Sequence, residues 1–150
     1  MKPDPTARNA MLEPIPLRLP PGVDLRAALE LALAEHGSGG AFVVAGIGSL
    51  RPAQVRFAGA AEAVPLPGDH EILTLSGTLG DGGSHLHVTL ANGHGQVVGG
   101  HVAPGCIVRT TAEVLLARLP GWIFDRAPDA ATGYAELVVR RPDRRGLPSS

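Results

Sequence analysis

Apolar and polar positions alternate along much of this 150-residue chain. Successive side chains of a strand point to opposite faces, so a period of two marks a half-buried sheet. Glu71 to Leu79 is the clearest case, with Ile72, Thr74, Ser76 and Thr78 set against Leu73, Leu75 and Leu79. Ile15 to Leu19, Gln54 to Ala58, Trp122 to Phe124 and Tyr134 to Val139 predict shorter strands, and Cys106 to Leu116 a long one. Ala41 to Ile47 is an apolar run and predicts a strand buried on both faces. One segment has a different period. Leu25, Ala28, Leu29, Ala32 and Leu33 recur at helical spacing and predict a helix from Asp24 to His36. Asp24 is placed to cap its free amides, and Gly37 to end it. Strands separated by turns, with one main helix, predict an α+β, sandwich-like fold with a largely antiparallel sheet.

The chemistry gathers between Gly82 and Leu116. His85 and His87 share one face of a predicted strand, and Leu86, Val88 and Leu90 take the other. Asn92-Gly93-His94-Gly95 reads as a turn, so Gln96 to Val102 should return as the partner strand. An odd-numbered loop centred on His94 puts His87 opposite His101. An even-numbered loop puts it opposite Gly100 and turns His101 to the other face, unless a bulge corrects the parity. Gly99 and Gly100 mark a bulge or a close approach of another backbone. Three imidazoles on one face could hold zinc or another divalent transition metal at His85, His87 and His101, with a fourth position open. The competing reading is a solvated strand face or a hydrogen-bonded pair. His94, in the turn, is read as solvated.

Two further residues and one glycine motif are weighed against plainer roles. Glu113 could orient a histidine or act as a general acid/base beside a metal-bound water. The plainer reading, an ion pair with Arg109 or with an arginine of a neighbouring subunit, is preferred. Cys106 is read as a packed core thiol in preference to a soft ligand. Gly46-Ile47-Gly48-Ser49 is not followed by the lysine of a phosphate loop, and its glycines are read as a bend passed closely by another backbone.

Composition narrows the function. Aromatics are 3% of the chain, which argues against stacking platforms for single-stranded nucleic acid. Net charge is −1. Setting aside the four arginines of the stretch Arg140 to Pro148, and its Asp143, leaves 9 basic and 13 acidic side chains. A body of that sign repels phosphate, so direct DNA binding by this chain is not expected. One cysteine cannot form an internal disulfide, and MKPDPTARNAMLEPIP has no apolar core of a secretory signal. A soluble cytoplasmic protein with no membrane partner is the expectation. No hydrolase elbow, Walker loop or paired-carboxylate signature is present, so an enzyme reading needs the metal to carry the chemistry.

The motifs also carry a family resemblance. His85-Leu86-His87, Gly99-Gly100-His101, Gly105-Cys106 and Thr110-Thr111-Ala112-Glu113-Val114 resemble the "plants and prokaryotes conserved" (PPC) domain. Gly68 to Gly77 is similar to that family's G-x-F-E-I-L-S-L-S-G segment, and Gly46 to Leu50 to its I-G-S-L element. The pattern runs from Leu17 to Val139. The resemblance implies a compact trimer of the stand-alone prokaryotic type, acting through a protein partner or small ligand in clefts between subunits. It also implies kinship with plant nuclear proteins that carry AT-hooks, and a metal at the histidines, as in some prokaryotic relatives. His70 stands where the family motif has Phe, and Asp69 where plants tend to have Arg. Both departures weaken the case for the partner-binding role ascribed to this segment in plants. The Arg-Gly-Arg-Pro core of an AT-hook is absent from the tail. The expected organisation is a flexible segment over 1–14, a PPC-like domain over 15–140 and a basic flexible tail over 141–150. Two functions follow: a homotrimeric binding or regulatory module, or a small zinc-dependent enzyme with Glu113 as acid/base.

Overall fold

The computed structural model describes residues 12–37 and 39–141. Ten strands and one helix follow in order: β1 (Glu13–Leu19), α1 (Leu25–Glu35), β2 (Gly40–Leu50), β3 (Ala53–Arg56), β4 (Val64–Leu66), β5 (His70–Gly80), β6 (Gly83–Asn92), β7 (Val97–Val102), β8 (Val108–Leu119), β9 (Ile123–Pro128) and β10 (Ala135–Arg140). Eight strands form one sheet in the order β1-β8-β2-β5-β6-β7-β3-β4, and β9 and β10 pair separately. Every pairing is antiparallel.

The helix forms where its period predicts. Asp24, extended at φ −72° and ψ 124°, accepts at Oδ1 from the Ala27 amide. Its Oδ2 accepts from the Gly105 amide at 2.6 Å, so one carboxylate caps α1 and fixes the turn between β7 and β8. Leu25, Leu29 and Leu33 are buried against Leu86, Val88, Leu90, Val114 and Leu116 from the sheet. Each such side chain contributes about 1.5–3 kcal/mol of apolar burial.

One helix covers one face only. Ala41 and Val43 of β2 are buried, but Phe42, Val44 and Ile47 are 45%, 58% and 55% exposed. This corrects the reading of Ala41 to Ile47 as buried on both faces: within a single chain the outer face is covered only at its Phe42 end, where Phe124 of β9 meets the Phe42 ring edge-on. Leu73 of β5 extends the same exposed apolar character. Strand β4 was not anticipated. Its run Val64-Pro65-Leu66 carries a proline, which an edge strand tolerates and a central one does not. The long strand expected from Cys106 starts at Val108, because Cys106 belongs to the turn that Asp24 secures.

Part of the expected tail is held in place. Arg140 pairs with Asp125 at 3.2 Å, and the Arg141 guanidinium lies 4.3 Å from the Trp122 ring centroid. Residues 1–11 and 142–150, which make up most of the two segments expected to be flexible, lie outside the described residues. Among the described residues, no helix is long and apolar enough to cross a membrane.

Close backbone contacts set the sheet around β6. Gly77 has φ +140°, and a Cβ there would meet the His85 carbonyl oxygen 2.1 Å away. Gly77→Ala should destabilise the fold by about 2 kcal/mol or more, through strain and displacement of β6. Gly59→Ala, at φ +72° with nothing within 4 Å of the added carbon, should cost about 1 kcal/mol. Urea unfolding of both variants beside wild type measures the difference.

Candidate metal centre

The turn between β6 and β7 decides where the histidines point. Ala91 pairs with Val97, so the loop between them runs over 92–96 and is centred on His94. Asn92 sets this length. Its Oδ1 accepts from the His94 and Gln96 amides, both at 3.0 Å, and its backbone carbonyl accepts from the Gly95 amide. The odd loop places His87 directly opposite His101, with unbroken register to Ala91. Gly99 and Gly100 admit neighbours on both sides and form no bulge. A Cβ on Gly99 would meet the Val88 carbonyl at 2.9 Å, and one on Gly100 the Arg56 carbonyl at 2.7 Å.

The three rings converge. His87 Nε2 lies 3.1 Å from His85 Nε2, which lies 3.2 Å from His101 Nδ1. Ring centroids are 4.6–5.1 Å apart. One ring nitrogen carries either a hydrogen or a lone pair. His85 Nε2 therefore cannot form two ordinary hydrogen bonds with both neighbours. A cation satisfies the set better: nitrogens 2.0–2.1 Å from a tetrahedral zinc stand roughly 3.3 Å apart. The donor set fits zinc or a similar transition metal. The second nitrogens of the rings have no hydrogen-bond partner among the described residues.

Electrostatics favour the neutral form of His85 and His101. Burial pushes His85 below the usual 6.5, and the neighbouring His87 and Arg126 push it further. Burial also lowers His101, followed by the Arg56 charge. Neutral imidazole is the ligating form.

The other candidates lie elsewhere. Glu113 is exposed on β8, and β2 and β5 stand between that strand and β6. Arg109, its suggested partner, instead binds Asp69 at 2.9 Å, and Asp69 also holds Arg51. Cys106 is fully buried, with Sγ 3.3 Å from both the amide and the carbonyl of Gln54. Burial raises its pKa, as befits an inert core thiol. His70, where the family motif has Phe, is buried with Nδ1 3.3 Å from the Gly68 carbonyl. His94 is exposed in its turn.

Two residues at the site escaped the sequence reading. Arg56 of β3 pairs across the sheet with His101. Arg126 of β9 donates to Thr78, which pairs across the sheet with His85. Arg56 could be found only by pairing β3 with β7. Arg126 arrives from the separate hairpin, and no local spacing announces it.

A small antiparallel β module with one helix and three converging histidines is the class this geometry defines. The sequence matches the Plants and Prokaryotes Conserved (PCC) domain over residues 7–120. The chain belongs to that family. It is 45% identical over 131 residues to the bifunctional protein GlmU of a Synechococcus strain, covering 83% of this chain and 20% of that protein. It is 31% identical over 122 residues to AT-hook motif nuclear-localized protein 25 of Arabidopsis thaliana, covering 75% of this chain and 40% of the relative. The chain thus spans less than half the length of these curated relatives. Among solved structures, a hypothetical protein from Salmonella is 35% identical with a TM-score of 0.84, over 88% of this chain and 96% of that one. A metal-containing protein from Archaeoglobus fulgidus is 31% identical with a TM-score of 0.73, over 86% and 96%.

The lowered histidine pKa values fix the direction of a pH effect. With their pKa values lowered, His85 and His101 take up protons that compete with a metal only at pH below the ordinary imidazole range. A metal held here should remain bound at neutral pH and be released as the pH falls below the ordinary imidazole range. Dialysis at stepped pH, followed by elemental analysis, measures this.

Proposed function

We propose that this chain is a homotrimeric binding or regulatory module of the PPC type, with a divalent transition metal held by His85, His87 and His101. The observation that carries the metal is the meeting of three ring nitrogens that no hydrogen-bonding scheme satisfies. The metal content of the Archaeoglobus relative supports it. Zinc is the first candidate, and it would supply a Lewis-acid position open to a ligand. The trimer is supported by the uncovered apolar side chains of β2 and β5, which a second copy would remove from water. A small ligand or protein partner would then act at clefts between subunits. The acidic charge balance outside the tail argues against direct DNA binding, so kinship with AT-hook proteins lies in the shared domain. The single buried cysteine fits a reducing cytoplasm. The alternative, a zinc-dependent enzyme with Glu113 as acid/base, has weaker support, since two strands separate Glu113 from the histidine strand.

Elemental analysis of protein purified without a His-tag tests the metal. His87→Ala should remove most of it, because the remaining pair is a poor chelate, and His94→Ala should leave it intact. Both should keep the fold, since a chain of this length buries enough apolar surface without metal. Equal metal in all three proteins, or none in any, would sink the shared site.

Sedimentation equilibrium tests the assembly. Wild type should sediment as a trimer at micromolar concentration, and Ile47→Asp, on the exposed face, should shift it toward monomer. A monomeric wild type would count against the proposal.

A further inference from the structure

An open cleft of about 1000 Å³ adjoins the histidines, with His85 and His101 in its wall. That volume suits a small organic molecule better than a bare inorganic ion. Arg56 and Arg126 line the same cleft. Each is tied to a different side of the cluster: Arg56 is the cross-strand partner of His101, and Arg126 is anchored on Thr78, the cross-strand partner of His85. Five other arginines are matched by carboxylates, and Arg18 of β1, unmatched among the described residues, lies outside the cleft wall. Arg26 pairs with Glu30, Arg51 and Arg109 with Asp69, Arg118 with Glu13, and Arg140 with Asp125. Arg56 and Arg126 have no ion-pair partner within 4.0 Å among the described residues. Arg56 Nη1 donates to the Ala60 carbonyl at 3.2 Å, and Arg126 Nη2 to Thr78 Oγ1 at 3.2 Å. Both are half-buried, where leaving a cation without a counter-charge is costly. Glu136 is the acidic residue in the cleft wall, and it offsets one of the two charges. The wall thus remains net positive before any metal adds to it.

We infer that Arg56 and Arg126 anchor a small organic oxyanion, a carboxylate or a phosphate group, that enters the cleft beside the three histidines. The guanidinium fork matches both groups through paired N–H donors. The inference rests on the metal reading above, because a cation at the histidines supplies the third positive charge that draws the anion to this end of the cleft.

Cobalt(II) loaded into the full chain gives a visible spectrum that reports both the loading and the surroundings of the ion. Sodium phosphate and sodium acetate, titrated separately at constant ionic strength set with sodium perchlorate, should each be tried. A saturable spectral change with either supports the inference, and the tighter of the two identifies the preferred group. Arg56→Met and Arg126→Met should each weaken that binding tenfold or more, with cobalt content equal to wild type. Arg126→Lys should recover part of the loss, which separates anion contact from a folding defect. Cobalt bound without a response to either anion overturns this inference alone. Unchanged affinity in both methionine variants does the same. Failure to bind cobalt overturns it together with the metal reading.

Discussion

The parity of one turn governs which side chains of this sheet meet. Asn92 folds its side chain over the backbone of residues 94–96, and the loop it closes has an odd number of residues. Adding or removing one residue would turn His101 to the opposite face from His87, and would turn the buried Val102 out of the core with it. His85 and His87 are exposed, so little apolar surface holds their rings directly. What fixes them is backbone register. It is reinforced by Gly77 on one side of β6 and by Gly99 and Gly100 on β7, each admitting a neighbouring chain too close for a side chain.

That dependence explains how far the site could be read from sequence. The i, i+2 spacing of His85 and His87 guarantees a shared face in any strand. The face of the third histidine depended on loop parity, which the run Asn92-Gly93-His94-Gly95 leaves open, because glycines allow several turn lengths. The glycines before His101 pointed to a close approach, and that is what they provide. Glu113 shows the opposite limit. Its position in a strand was correct, but strand order cannot be read from a strand's own residues. The insertion of β2 between β8 and β5 is a matter of long-range pairing. Arg56 and Arg126 were invisible for the same reason.

The fold itself was legible where pattern and burial agree. The helix lies within a residue of its expected ends, because its cap, stripe and terminating glycine all act locally. The sheet core follows its alternation in β6, whereas in β5 a register shift between Ile72 and Thr74 breaks it and leaves Ile72 buried and Leu73 exposed. The pattern failed at β2, where apolar residues on both faces were read as burial on both. Hydrophobicity states what a side chain favours, and a single helix cannot satisfy both sides of a sheet. The Asp69 junction between Arg51 and Arg109 was also hidden, since its members come from three separate parts of the chain.

The double use of Asp24 has a consequence in time. Its carboxylate holds the first turn of α1 and also the Gly105 amide, 81 residues later in the chain. During synthesis at about 5–20 residues per second, the helix is made several seconds before the turn that shares its cap. An eleven-residue helix is too short to persist alone in water. The segment therefore waits as a fluctuating, amphipathic stretch until β6 and β8 arrive to cover its leucines. Slow closure of distant pairings is characteristic of sheets of this kind. Here it leaves the leucines of Leu25 to Leu33 uncovered in the nascent chain until those strands are made.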